Sequence, residues 1–437
     1  MARKLLPLLI ALLAGAAALF IGLVGGALRT GWLDPLDWLL SGTAAALVLA
    51  WQARPEPGWR AGAMIWAVVT LPALLFLALA GTRFPWAGLL LLALGLAIAV
   101  LAACRALALG GAVRWIALAA LLGFALVLPR IAGADGGGAA QGERLEVGVL
   151  SAMPLQGIAM GAAHGLPPAE SIGMRSPLWR GLERRFALRP LDAIDAPHLA
   201  DLRVLLLAQP RALAPAELVA LDAWVRRGGR AVILADPLLH WPDPRPLAHP
   251  QRAPLTSLLD PLLAYWGLRL EPAEMAMDGD PVERRVLASG AVVQLSGASR
   301  FGLMGAVRAC ALAEHGLIAR CRIGAGEALL VADADWINDM LWTLRPEHPE
   351  DRRAWTAATL DLLSAWLTGK APRADLLGSW LTDRDALLAS LRIALGLLLL
   401  IVVGNALVGR WPSRSQHHFG TKTDHFRNGS DTGGDTG

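Results

Sequence analysis

Hydrophobic positions fall into two regimes along this chain. Over residues 1–132, and again over 386–409, apolar residues run in long stretches broken by few charges. Between 143 and 370 they recur in short runs separated by polar turns. The long stretches at 5–28, 36–51, 62–80, 85–104, 115–128 and 393–408 read as membrane-spanning helices. Crossing a bilayer core takes roughly 20 apolar helical residues, with about 17 as a minimum. The second stretch is short and has Asp37 near its start, and the fifth is bounded by Arg114 and Arg130. The first follows Arg3 and Lys4 but is longer than a signal-peptide core, and more spans come after it, so it reads as an uncleaved helix.

The central region has the pattern of a soluble domain. Residues 133–142 (GADGGGAAQG) form a small-residue linker. The pattern then predicts strands at 145–150, 188–191, 204–208 (VLLLA), 231–235 (AVILA), 292–295 and 327–332 (EALLVA). Near-continuous apolar runs of this kind suit parallel strands buried on both faces. Helices are predicted at 176–186, 213–227, 255–266 and 354–367, with a helical turn at 195–200. Strands alternating with helices imply a doubly wound α/β layer with right-handed crossovers. The expected organisation is a membrane region over 1–132, a linker over 133–142, and an extracytoplasmic α/β domain over 143–370. A last span at 386–409 and a disordered cytoplasmic tail at 410–437 complete it.

Residues 205–237 (LLLAQPRALAPAELVALDAWVRRGGRAVILADP) and 326–339 (GEALLVADADWIND) carry a resemblance. Together they resemble the gliding-motility-type auxiliary domain of uncharacterised ABC transport systems, over about residues 145–368. That family is marked by a strand ending in a small residue and Pro, a helix closed by Gly-Gly, and a strand ending in Asp-Pro. The resemblance implies a class I glutamine-amidotransferase-like α/β fold, used as a membrane-tethered transport component beside ATPase and permease subunits.

The catalytic form of such a fold needs a Cys or Ser exposed on a sharp strand-to-helix turn. Here the strand at 204–208 is followed by Gln209-Pro210 and the strand at 231–235 by Asp236-Pro237, and no G-x-S-x-G or G-x-C-x-G occurs. There is also no G-x-x-x-x-G-K-[ST], H-E-x-x-H or paired C-x-x-C, so the sequence calls for no cofactor and no ATP hydrolysis of its own. Acidic residues make the remaining constellation. In a doubly wound sheet, ligands bind beyond the carboxyl ends of the strands. Asp236, Asp333 and Asp335 follow such strands, with His240, Asp243, His249, Asn338 and Asp339 in the loops after them. Hard oxygen ligands there would suit a divalent cation. The alternative is that each Asp caps the turn that follows it. Residues 151–168, rich in Gly, Met and Pro, read as a loop over the same edge.

Composition narrows the function classes. Hydrophobic residues make up 55% of the 437, charged residues 17%, and mean hydropathy is +0.47, too apolar for an ordinary soluble protein. The net charge of +4 comes from scattered arginines, with only Lys4, Lys370 and Lys422 as lysines, and no nucleic-acid motif accompanies it. Arg3, Lys4, Arg54, Arg60, Arg105, Arg114, Arg410 and Arg414 fall on one side of the expected spans, against Arg29, Arg83, Arg130 and Arg392 on the other. The positive-inside rule then puts both termini in the cytoplasm of a bacterial inner membrane and the domain in the periplasm. A two-residue turn at His315-Gly316 pairs Cys310 with Cys321, as a disulfide suited to an oxidising compartment or as two buried thiols. Three readings stay open: a non-catalytic auxiliary component of an ABC-type exporter, a membrane-bound metal-dependent hydrolase using the acidic edge, and a ligand-sensing membrane receptor.

Overall fold

A computed structural model describes residues 2–53, 59–134, 144–157, 175–243, 245–246, 249, 251–272, 282–297, 299–305, 309–370 and 378–407. Most of the predicted linker, most of the loop at 151–168 and the tail at 410–437 lie outside these residues.

The N-terminal helices are α1 (Ala2–Leu19), α2 (Gly25–Thr30), α3 (Trp38–Gln52), α4 (Trp59–Ala80), α5 (Trp86–Ala108) and α6 (Gly111–Ala134). A π-helical turn, Phe20–Val24, makes α1 and α2 one continuous rod. Beside it Ser41 Oγ donates to the Ala18 carbonyl at 3.1 Å. Such polar contacts between helices take up backbone acceptors that a π turn perturbs. The expected short span at 36–51 corresponds to α3, about 22 Å long at 1.5 Å per residue. The expected span at 115–128 is part of α6. The bundle is apolar outside as well as inside. Ala46, Phe76, Leu92 and Leu96 are buried at helix contacts, while Leu90, Leu94, Ile98 and Leu101 point outward. Outward leucines cost nothing when the surroundings are acyl chains.

The domain's main sheet comprises β2 (Glu146–Ser151), β3 (Ala187–Pro190), β4 (Val204–Ala208), β5 (Arg230–Leu234), β10 (Cys310–Ala313), β11 (Ile318–Ile323) and β12 (Gly326–Val331). Its order is β10-β11-β12-β5-β4-β2-β3. The five strands from β12 to β3 are parallel, and β11 and β10 extend the edge antiparallel. The parallel part thus follows the 2-1-3-4-5 order of one common doubly wound topology. Helices α7 (Pro177–Glu183), α8 (Ala196–Leu199), α9 (Pro215–Arg226), α10 (Asp260–Tyr265), α11 (Asp339–Trp342) and α12 (Thr359–Thr368) connect and cover it. Two small antiparallel pairs, β6 (Leu268–Glu271) with β9 (Arg300–Leu303) and β7 (Val282–Val286) with β8 (Val292–Ser296), complete the domain.

The residues that carry the family resemblance build this layer. Helix α9 begins at Pro215, where proline's fixed φ suits the first turn, and its Trp224 indole N–H donates to the Leu202 carbonyl at 3.0 Å. Asp222 accepts from the Trp266 indole N–H at 2.8 Å. The helix then stops because Gly228 takes φ 111°, and Gly229 lies against the Trp224 ring, where a Cβ would fall 2.5 Å from the indole. These residues hold helix to sheet.

The hairpin at 310–323 differs in detail from expectation. Cys310 does face Cys321, and the two form a disulfide with Cα atoms 3.9 Å apart. The turn is a left-handed one over Glu314–Gly316, with φ 52°, 57° and 88°, and the Arg322 N–H donates to the Ala309 carbonyl at 2.8 Å. That bond flanks the cysteine pair and puts it at a non-hydrogen-bonded position, where Cα atoms approach more closely. A tight two-residue turn would have given the opposite phase. The predicted helix at 255–266 is only α10, since the chain before Asp260 folds as turns.

Bundle and domain meet through a pairing of distant segments. The two-residue strands β1 (Trp32–Leu33) and β13 (Ser379–Trp380) are antiparallel, with Trp32 opposite Trp380 and their rings 4.9 Å apart. Gly81 bridges to Leu381, and the Thr82 N–H donates to the Trp380 carbonyl at 2.7 Å. From the domain, Arg284 donates to the Thr382 carbonyl at 2.7 Å, Thr82 Oγ1 donates to the Gly290 carbonyl at 2.9 Å, and Arg353 pairs with Asp37 at 3.6 Å. The last helix, α13 (Arg384–Leu407), returns from this junction along α4 and α1. Thr30, Ala80 and Arg384 therefore lie at the domain end of the bundle. Ala2, Gln52, Trp59, Ala108 and Leu407 lie at the far end.

Candidate functional site

The carboxyl edge of the parallel sheet brings three of the predicted site residues together. Asp236 leaves β5 and Asp333 leaves β12, adjacent parallel strands, and Asp335 opens the 3-10 turn Asp335–Ile337. Ligand atoms of all three lie within 4.8 Å of one another, and the residues are 0%, 0% and 1% exposed. Each carboxylate also caps local backbone. Asp236 accepts from Leu238 and Ala334 at 2.8 and 2.9 Å, Asp333 from Ser296 and Trp336 at 3.0 and 2.9 Å, and Asp335 Oδ2 from His240 at 2.6 Å. Capping and convergence thus coexist. The remaining oxygen, Asp335 Oδ1, is buried with no hydrogen-bond partner.

Electrostatics follow from this packing. Burial drives all three carboxyls up: Asp335 to about 7, Asp333 well above the ordinary carboxylate value, and Asp236 in the same direction. Backbone N–H donors oppose the shift, and neighbouring acidic charge adds to it at Asp333 and Asp335. His240 Nδ1 stands 3.7 Å from Asp335 Oδ2 and 3.2 Å from the Ser296 carbonyl, at the rim of the cluster. Three buried acids beside one imidazole need protons or a cation to offset their charge. The donor set is one that Mg²⁺, Mn²⁺ or Ca²⁺ accepts, and Asp236, Asp333 and Asp335 are the described residues that would hold such an ion.

The other predicted residues do other work. Asn338 Oδ1 accepts from the Met340 N–H at 3.1 Å as the cap of α11. Asp243 is held by Arg245 at 2.6 Å, and that pairing lowers its pKa. His249 Nδ1 accepts from the Gln251 N–H at 3.2 Å within its own turn.

One residue of this edge reads in the sequence only as the absence of a nucleophile. Gln209, directly after β4, is fully buried with φ 41°, a left-handed backbone that a non-glycine residue adopts at a cost. Its amide is consumed by the Asp236 backbone and the Pro254 carbonyl. Its meaning depended on contacts with residues far along the chain.

Among solved structures, the chain is similar to an exo-β-1,4-mannosidase from Opitutaceae bacterium strain TAV5, at 14% identity and TM-score 0.27, over 55% of this chain and 38% of that one. It is similar to a β-galactosidase from Rahnella sp. R3 at 15% identity and TM-score 0.27, over 51% and 34%. A cytoplasmic protein from Salmonella typhimurium matches at 12% identity and TM-score 0.28, over 45% of this chain and 87% of that one. The chain spans little more than a third of the length of these glycosidases, and likeness at this level carries no argument about activity. No curated protein matches the sequence. Residues 146–294 match the model of the family described as an ABC-type uncharacterized transport system, the auxiliary family that residues 205–237 resemble.

Proposed function

We propose that the protein is a non-catalytic membrane subunit of an ABC-type export system, with its α/β domain on the periplasmic face and ATP hydrolysis supplied by partner subunits. The observation that carries this reading is the junction between domain and bundle. Backbone pairing at Trp32–Trp380 and Gly81–Leu381, with Arg284 and Arg353 reaching across it, fixes the domain over one end of the helices. A tethered enzyme needs only a flexible linker. A subunit that passes conformational change between membrane and periplasm needs such a joint.

Orientation follows from charge. Arg60, Arg105 and Arg114 belong to the end of the bundle away from the domain, and Arg29 and Arg83 to the domain end. Four described helices are long and apolar enough to cross a bilayer. With α3 and α6 crossing as well, both termini are cytoplasmic and the domain is outside. The consumed side chain of Gln209 supports the non-catalytic part of the reading.

The test is gentle detergent purification at native expression, with mass spectrometry of what comes with it. A P-loop ATPase and a permease in stoichiometric amounts are expected. A partnerless protein overturns the reading.

The acidic cluster favours one second reading, a divalent-cation site at Asp236, Asp333 and Asp335. We regard it as a structural or ligand-bridging site within the same subunit, and it would turn hydrolytic only if chelator-sensitive turnover were measured.

A further inference from the structure

We infer that the bundle holds one anionic phospholipid between α5 and α6, at the end away from the domain. A groove of about 410 Å³ opens there between Ala102, Ala106 and Leu109 on one side and Ala117 and Leu121 on the other, with Arg105 in its wall. Its lining is almost wholly apolar, and small alanines face it from both helices. Arg114, one helical turn before Ala117, belongs to the same end of α6, and its Nε is buried with no hydrogen-bond partner. The guanidinium lies 5.7 Å from the Trp115 ring, which in turn sits 6.2 Å from Trp51. Aromatic rings at this depth mark the level of lipid headgroups.

Charge complementarity decides the occupant. Neither Arg105 nor Arg114 makes an ion pair among the described residues, and Glu56 is the only carboxylate anywhere between Asp37 and Asp135. Among the described residues, the two arginines at this end of the groove have no acidic side chain to neutralise them. A phosphodiester headgroup meets both guanidinium forks, and its acyl chain fills the groove, the arrangement basic pockets between membrane helices use for anionic lipids. A zwitterionic lipid fits the groove equally well but brings its own cation to the arginines, so selection for net negative charge is the distinguishing property. The inference rests on the helices spanning a membrane, and it is independent of which partner subunits bind.

The test uses the full chain in nanodiscs of phosphatidylcholine containing one tenth phosphatidylglycerol, followed by native mass spectrometry of retained lipid. The wild type should retain phosphatidylglycerol about ten-fold over its share of the mixture. Arg105→Gln with Arg114→Gln should abolish the enrichment while total retained lipid stays the same. Ala117→Phe, which fills the groove and keeps both arginines, should also abolish it, whereas glycerophosphoglycerol in solution should not compete. Retention in proportion to the mixture overturns the inference, and so does enrichment that survives the arginine variants. Enrichment lost to the soluble headgroup alone, or surviving Ala117→Phe, shows a surface phosphate site and overturns the lipid assignment. Failure of the membrane reading would look different, since the protein would not incorporate into nanodiscs at all.

Discussion

The Gln209 side chain reads both backbone groups of Asp236: Nε2 donates to its carbonyl at 2.9 Å and Oε1 accepts from its N–H at 2.9 Å. The same Nε2 reaches the Pro254 carbonyl at 3.0 Å. The residue holds a left-handed backbone to do this, so the contact ties the end of β4 to the end of β5 against local strain. Gln209→Ala takes this partner from the buried Asp236 N–H and the half-buried Pro254 carbonyl, while the Asp236 carbonyl keeps the Ser257 N–H. At roughly 1–3 kcal/mol for each orphaned group, partly relieved by relaxation, the loss should be about 3 kcal/mol. Thermal unfolding of the purified protein measures it, and an unchanged midpoint would sink the clamp.

Asp335, Asp333 and Asp236 set a pH dependence with a definite sign. Their folded values are raised, Asp335 to about 7, so the folded state binds protons that the unfolded state has released. Their contribution to stability is full below the ordinary carboxylate range and is lost as pH rises through the raised values, about 7 for Asp335. In chelator the thermal midpoint should fall over that interval, and Asp335→Asn should flatten the fall. A midpoint that rises with pH there contradicts the account.

Divalent cation should reverse that loss if the cluster holds one. At about pH 8, free Mg²⁺, Mn²⁺ or Ca²⁺ at 100 times its dissociation constant adds about 2.7 kcal/mol of stability. The gain should vanish in Asp333→Asn, because removing one of three hard ligands leaves too few. No response to any of the three ions, with the acid-side stability intact, would identify a proton-sharing cluster instead.

The junction predicts a specific cross-link. Leu33 and Ser379 are register partners in the β1–β13 pair, so Leu33→Cys with Ser379→Cys should oxidise to an intramolecular disulfide in membranes. Gly81 meets the ribbon so closely that a Cβ there would fall 2.2 Å from Ser379 Oγ. Adding Gly81→Val should slow that oxidation several-fold. Equal rates with and without the valine would show that the junction is not seated as described.

How much of this was legible in sequence depended on how local each signal was. The runs at 204–208 and 327–332 reappear as β4 and β12 because a strand buried on both faces must be apolar throughout. The Gly-Gly after α9 was legible because a helix stop is a local event. Strand β7, Val-Glu-Arg-Arg-Val, escaped notice because its charged residues pair with each other and with the bundle, as Arg285 does with Glu283. Strands β1 and β13 are two residues each, too short to show any period, and are made by contact between segments far apart in the chain. In the site, Asp236, Asp333 and Asp335 could be placed on one edge from strand ends alone. Asn338 could not be told from a ligand, because a helix cap and a metal ligand use the same amide oxygen.

The measurement that tests the central claim most directly is the sidedness of the domain in intact cells. Asp201 is exposed on the domain, so Asp201→Cys in a Cys104→Ala background gives one reporter thiol beside the Cys310–Cys321 disulfide. A membrane-impermeant maleimide should label it in bacteria whose outer membrane alone has been permeabilised. Labelling only after the inner membrane is broken would put the domain in the cytoplasm and contradict the account.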